Sequence, residues 1–262
     1  MTPISSPTKS LADAVVAHLN DSRAHGYLPQ RPRLRRLSQD RIYEHALAAR
    51  GMGPVAGVDE AGRGACAGPL VVAACILPPE HIDALNGLTD SKKLSAARRE
   101  RLEPVIKDVA TAWSVISISA ADIDAHGVGV ANLSGMRRAV EALPVRPGFV
   151  LTDAWHISGL RAPHLPMVKG DAVARCIAAA SVLAKVARDR IMVEHDARWP
   201  GYGFATHKGY GTAAHMAAVA ENGPADCHRM SYANIAAASA HHPQRRRRGG
   251  SDNHGGKVNH ER

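Results

Sequence analysis

Residues 69–77, PLVVAACIL, are an almost unbroken apolar run closed by Pro78-Pro79, and they constrain the fold more than any other stretch. A run of that length between turn residues suits a buried strand, and a buried strand needs a sheet around it. Segments on either side supply one. Residues 55–59 read as a strand that enters a Gly-Arg-Gly turn, and 111–119 alternate apolar and polar residues like a half-buried strand. Residues 149–152 and 165–168 read as short strands ending at Asp153 and at Lys169-Gly170. Helical spacing appears at 94–110, where Pro104 is expected to kink or divide the helix, and again at 131–143. The strongest helical pattern covers 171–196, with Val173, Ile177, Ala180, Leu183, Ala184, Ala187 and Ile191 on one stripe and small residues at 178–181 that allow close packing on a sheet. A final helix is expected over 211–222. The order implies an α/β fold with a mixed five-stranded sheet flanked by helices, antiparallel where strands join directly and parallel where helices cross over.

The 262 residues, 45% of them hydrophobic, fit one domain with tails. That domain is expected over 51–240. It follows a basic N-terminal extension (1–50), loosely ordered up to about residue 35 with a helix near 37–49, and precedes a disordered basic tail (241–262). The formal charge of +9 is unevenly spread. Residues 1–50 hold 8 Lys/Arg against 4 acids and 243–262 hold 6 against 2, which leaves the body near neutrality. Basic ends attract nucleic acid non-specifically or merely solubilise the chain. If they bind, deleting 243–262 lowers affinity and flattens its salt dependence. Cys66, Cys75, Cys176 and Cys227 lie far apart with no C-x-x-C spacing, as expected of buried free thiols in a reducing compartment. With no secretion-signal pattern and no apolar run of membrane-spanning length, the chain is expected to be cytoplasmic. Fifteen histidines show no zinc-binding spacing and are expected to be scattered on the surface.

The chemistry is carried by acids. Asp59 and Glu60 follow the first strand, Asp153 a later strand, and Asp171 opens the long helix. In an α/β sheet such strand ends and helix starts face one crevice, so the four carboxylates are expected to converge. Two carboxylates about 4 Å apart repel by roughly 4 kcal/mol at an effective dielectric near 20, so a cluster of four takes up protons or binds cations. Oxygen ligands without histidine or thiolate favour Mg2+ or Mn2+, and a pair of such ions suits phosphodiester cleavage. Adjacent strand residues point to opposite faces, so Asp59 and Glu60 share a site only if the strand bends or ends there. Taken singly, Asp153 also reads as a turn residue and Asp171 as a helix-start acid. The glycines after Glu60 let the backbone approach a ligand closely.

GVDEAGRG (57–64), TDSKKLS (89–95), LTD (151–153), KGDAVARCIAAASVLAKVARDR (169–190), YGFATHKGYGT (202–212) and HRMSY (228–232) together resemble the ribonuclease HII family, the type 2 ribonucleases H, over roughly 54–235. The resemblance implies a ribonuclease H-like fold with a helical C-terminal extension. It further implies an endoribonuclease that hydrolyses the RNA strand of RNA-DNA hybrids and cuts 5′ of ribonucleotides embedded in duplex DNA, with a role in replication and repair. Asp59, Glu60, Asp153 and Asp171 match the metal-binding, catalytic acids, served by two Mn2+ or Mg2+ ions. Gly62, Arg63 and Gly64 match the element whose backbone is expected to touch the ribose 2′-OH, the group that separates RNA from DNA. Tyr210 matches the ring expected to stack on the next, deoxyribose, sugar. Lys92 and Lys93 are candidates for phosphate contact, and so are Ser181 and Lys185, one helical turn apart. Asp189 is instead expected in a surface salt bridge with Arg188 or Arg190. A monomer with no membrane partner is implied. Two departures from the family pattern are visible. Ala65-Cys66 stands where Pro-Leu is more usual, and Ala154-Trp155 follows the third acid where Gly is usual.

Two rival readings come from other classes. A non-enzymatic nucleic-acid-binding protein would bind independently of divalent ions, and a nucleotide or phosphate-ester enzyme would use the glycine turn as a phosphate cradle. The second lacks the G-x-x-x-x-G-K-[ST] pattern.

Overall fold

The computed structural model describes residues 41–80, 82–89 and 91–240, so the expectations for 1–40 and for the tail at 241–262 lie outside the described residues. In chain order the elements are α1 (Ile42–Ala48), β1 (Val55–Ala61), β2 (Leu70–Ile76), α2 (Ala96–Val109), β3 (Ala112–Ile118), α3 (Ala120–His126), α4 (Val128–Glu141), β4 (Phe149–Asp153), β5 (His164–Met167), α5 (Gly170–Val173), α6 (Arg175–Arg198), α7 (Phe204–His207), α8 (Ala213–Asn222) and α9 (Ala233–Ala240). One mixed sheet holds the five strands in the order β3-β2-β1-β4-β5.

The apolar run of β2 is explained by its central place. Leu70, Val72, Ala74 and Ile76 face α4 through Met136, Ala139 and Val140. Val71, Ala73 and Cys75 face the other way, onto Ala178–Leu183 positions of α6 and onto Leu102 and Ile106 of α2. Both faces are buried, so the usual alternation with polar residues disappears. Each fully buried Val, Leu or Ile contributes about 1.5–3 kcal/mol. The small residues of α6 do permit the close approach expected of them. A Cβ on Gly57 of β1 would stand 2.1 Å from the Cys176 carbonyl carbon, so only glycine allows the helix start to rest on that strand.

The strand directions correct part of the expectation. β1 and β2, joined directly, are antiparallel, and β1 and β4, separated by helices, are parallel. Yet β2 and β3 are antiparallel although α2 lies between them, and β4 and β5 are parallel although a loop joins them. The α2 excursion returns to the end of the sheet it left. Strand β5 is four residues long, about 13 Å at 3.3 Å per residue, a distance an extended loop recrosses easily.

Three helix expectations also change. Pro104 does not divide α2, which runs through it, and the carbonyl it leaves without an amide partner belongs to exposed Glu100. The helix expected to run unbroken from Asp171 is interrupted at Ala174, whose backbone is extended (φ −126, ψ 120), so Val173 falls in the four-residue α5 and is exposed. Each start has its own acceptor from elsewhere. Asp153 Oδ1 takes the Gly170 amide at 2.8 Å, and Glu44 Oε1 of α1 takes the Cys176 amide at 2.9 Å. Finally, 211–222 does not contain the last helix, since α9 follows α8 and packs with it over Cys66, Met192, Phe204 and Val219.

Candidate active site

The acids sit where β1 loses its β4 neighbour. The parallel ladder ends at Val58 opposite Thr152, while β1 continues beside β2 through Ala61, so the strand does not stop at Asp59 as expected. Alternation therefore persists. Asp59 lies with Gly57 and Ala61 on the α6 side, and Glu60 lies with Ala56 and Val58 on the α4 side. Asp153, at the end of β4, acts electrostatically on both. Burial pushes the Asp59 carboxyl well above the ordinary carboxylate range, and the neighbouring Glu60 and Asp153 charges push the same way. Glu60 is pushed up to about 7 by burial and then by Asp153, against the pull of Arg63, Trp155 and Lys92. Asp171 is buried in the first turn of α5, one residue after the Gly170 amide that bonds Asp153.

Thus Asp59, Glu60 and Asp153 form one coupled group, with Asp171 tied to it through the backbone. Among the described residues no three His, Cys, Asp or Glu side chains stand close enough to hold an ion as they are. Asp59 and Glu60, adjacent on β1, alternate across the sheet. The donor chemistry fits a hard divalent ion. So does Glu60 Oε2, a buried oxygen that lacks a hydrogen-bond partner.

The lysines and Ser181 divide. Lys92 and Lys93 are exposed on a short turn (Ser91–Lys93), and Lys92 is near enough to act on Glu60. Arg99 holds that turn through the carbonyls of Ser91 and Leu94, at 2.9 and 2.6 Å. Ser181 is buried, 2.7 Å from the Ser91 hydroxyl and close enough to Asp59 to pull its pKa down, so it joins the acids to the lysine turn. Lys185 points elsewhere and pairs with Asp189 at 2.7 Å. Asp189 also meets Arg99 at 3.4 Å, so its partners are neither Arg188 nor Arg190. Arg190 instead bonds both oxygens of Glu103, each at 3.1 Å.

The Gly-Arg-Gly loop rests on two guanidinium groups whose role sequence reasoning missed. Arg229, fully buried, donates to the carbonyls of Gly62 (2.8 Å), Arg63 (2.9 Å) and Gly68 (3.0 Å). Arg188, also fully buried, donates to Pro69 and Ala67 at 3.0 and 3.1 Å, and its guanidinium carbon lies 5.6 Å from the Tyr210 ring centroid. A Cβ on Gly62, whose φ is +85, would meet Arg188 Nε at 1.7 Å. The amides of Cys66 and Ala67 both donate to the Gly209 carbonyl, which stitches the loop to half-exposed Tyr210. Loop and ring are therefore joined by backbone hydrogen bonds. Among the described residues no backbone carbonyl accepts from the amides of Arg63 or Gly64, and the space over Gly64 is open. The signal for Arg229 was present in HRMSY, a motif without an assigned role.

The expectation of surface histidines fails for His164, His215 and His228, which are buried. His215 Nε2 lies 3.0 Å from His228 Nε2, and burial lowers His215 to about 4, so the ring is neutral and serves as core beneath the Tyr210 segment. All four cysteines are buried and free. Among the described residues no helix is long and apolar enough to cross a membrane.

A mixed five-stranded sheet flanked by helices, with acids at adjoining strand ends, defines a ribonuclease H-like fold. The comparisons agree with that class. Among solved structures the chain resembles the ribonuclease H2 of Pyrococcus horikoshii, with a TM-score of 0.62 and 25% identity over 71% of this chain and 97% of that one. It also shares its fold with Bst-RNase HIII crystallised in complex with Mn2+, at TM-score 0.60 and 22% identity over 76% of this chain and 74% of that one. The ribonuclease HII family model matches residues 56–235. Curated proteins named ribonuclease HII are 60% identical over 210 residues in Rhodococcus erythropolis, covering 80% of this chain and 93% of that protein, and 58% identical over 229 residues in Corynebacterium efficiens, covering 87% and 99%. The chain belongs to the ribonuclease HII family and is an endoribonuclease of the ribonuclease H type.

Proposed function

We propose that this chain cuts the RNA strand of RNA-DNA hybrids and also the 5′ side of single ribonucleotides embedded in duplex DNA, leaving 3′-OH and 5′-phosphate ends. The observation that carries the proposal is the coupled group Asp59, Glu60 and Asp153 beside a glycine loop in which the Arg63 and Gly64 amides meet no backbone carbonyl among the described residues. Asp59, Glu60, Asp153 and Asp171 are the ligands and catalytic acids. Two Mg2+ or Mn2+ ions bound there supply activation of a water and neutralisation of charge on the leaving 3′ oxygen. The chain's own residues do the rest. The Arg63 and Gly64 amides, held by Arg229, donate to the ribose 2′-OH, which only RNA carries. Tyr210, fixed to the same loop, packs on the following sugar and favours a deoxyribose there, so a junction is cut in preference to continuous RNA. Lys92 and Lys93 take backbone phosphates, as do Ser181 and Lys185 once the Lys185 pair with Asp189 yields. The chain acts as a cytoplasmic monomer in the removal of ribonucleotides during DNA replication and repair.

A duplex carrying one ribonucleotide, incubated with protein and Mg2+ or Mn2+, tests this reading. Cleavage 5′ of the ribonucleotide is expected, and an uncut duplex with folded protein refutes it. Asp171→Asn is expected to keep fold and substrate binding while losing nearly all turnover. Retained turnover removes Asp171 from the site.

A further inference from the structure

The third acid of this chain is followed by Ala154-Trp155. Ala154 adopts φ 61, a left-handed conformation uncommon outside glycine, and the surroundings hold it there. Its amide donates to the Met167 carbonyl at 2.8 Å, and Thr152 Oγ1 donates to the Trp155 carbonyl. The turn so fixed packs one side of the indole, half-buried, on the core that contains Val58, Val150 and Ile157. Over the ring stands Arg63, its guanidinium carbon 4.5 Å from the centroid.

Arg63 is thereby held at both ends. Its carbonyl accepts from Arg229 Nη1 and from the Tyr232 hydroxyl, each at 2.9 Å, and its side chain lies on Trp155. A guanidinium gripped by a carboxylate spends its in-plane N–H donors on that partner, whereas one stacked on an aromatic face keeps them free at its edge. Among the described residues no oxygen accepts from the Arg63 guanidinium, and the residue is exposed. The result is an oriented cation with open donors beside the acids, a geometry suited to an incoming phosphate.

We propose that Trp155 is a positioning residue for substrate binding: its ring holds the Arg63 guanidinium edge-outward at the mouth of the site, where it binds a phosphate of the ribonucleotide-bearing strand. This deepens the proposed function and rests on it. A stack at an exposed site corresponds to about a two- to fivefold effect on affinity.

The test compares wild type, W155L, W155F, R63A and R63A/W155L on the single-ribonucleotide duplex. Leucine keeps apolar packing on the core and removes the ring, while phenylalanine keeps a ring. W155L is expected to raise KM about two- to fivefold, W155F to restore most of the KM although both variants lose the indole N–H that acts on Glu60, and W155L to add nothing to KM in the R63A background. Additive effects, or a loss confined to kcat, overturn the proposal. A second readout needs no activity. The chain has three tryptophans, so W113F/W199F leaves Trp155 as the sole emitter, and adding R63A is expected to change its emission in the free protein. Unchanged emission overturns the contact. A wild type that fails to cut the duplex refutes the nuclease reading separately, and the emission result still decides the contact.

Discussion

Glu60→Gln is expected to stabilise the metal-free protein at pH 8 and to do little at pH 5. Burial, then Asp153, raises the Glu60 pKa from the ordinary 4.5 to about 7 in the folded chain. The folded state therefore binds a proton more tightly than the unfolded one, and stability falls as pH rises from the unfolded pKa through the folded one. A difference of about 2.5 units at 1.36 kcal/mol per unit gives at most about 3 kcal/mol, lost between about pH 4.5 and 7. The figure is an upper bound, because Asp59 and Asp153 share the repulsion. Glutamine has nearly the same shape and no charge to desolvate, so it escapes the penalty. Urea unfolding in EDTA at pH 5 and pH 8 measures it: the variant should gain up to about 3 kcal/mol on the wild type at pH 8 and less than about 1 kcal/mol at pH 5. Mn2+ at pH 8 should stabilise the wild type more than the variant, since the ion binds the ionised carboxylate. A variant-minus-wild-type difference that is the same at both pH values refutes the argument.

Three further outcomes are expected. Gly62→Ala places a methyl group where Arg188 Nε stands and demands φ +85 of a non-glycine residue, so cleavage efficiency should fall at least about tenfold while Mn2+ binding persists; wild-type kinetics exclude the packing described. Arg229→Gln leaves the Gly62, Arg63 and Gly68 carbonyls short of donors and should lower unfolding free energy by about 3 kcal/mol, with lysine a poor substitute because it lacks the planar fork; urea unfolding measures it, and a lysine variant of wild-type stability refutes it. Mn2+ affinity, measured by calorimetry, should rise between pH 6 and pH 8 with proton release as Glu60 ionises, and a flat profile places Glu60 outside the ion site.

The amino-acid sequence by itself determined the strands, the candidate acids and the loop. The run at 69–77 announces a strand with no polar face, the small residues at 178–181 announce a helix pressed on a sheet, and the acids stand in or just after strand patterns and at a helix start. Even α3, unassigned from the sequence, carried its mark in Ser119 and Asp122, which form a capping box. Tertiary structure alone decided the strand directions, the continuation of β1 past Asp59, the break at Ala174 and the partners of Asp189. It alone turned Arg188 and Arg229 from apparent surface charges into buried supports of the loop, and set Arg63 on Trp155. The physical reason is one of range. Periodicity along a chain reports which face of a segment is buried, but a carbonyl from residue 62 reaches a guanidinium from residue 229 only after the sheet has brought them together, and neither segment carries a local trace of the other.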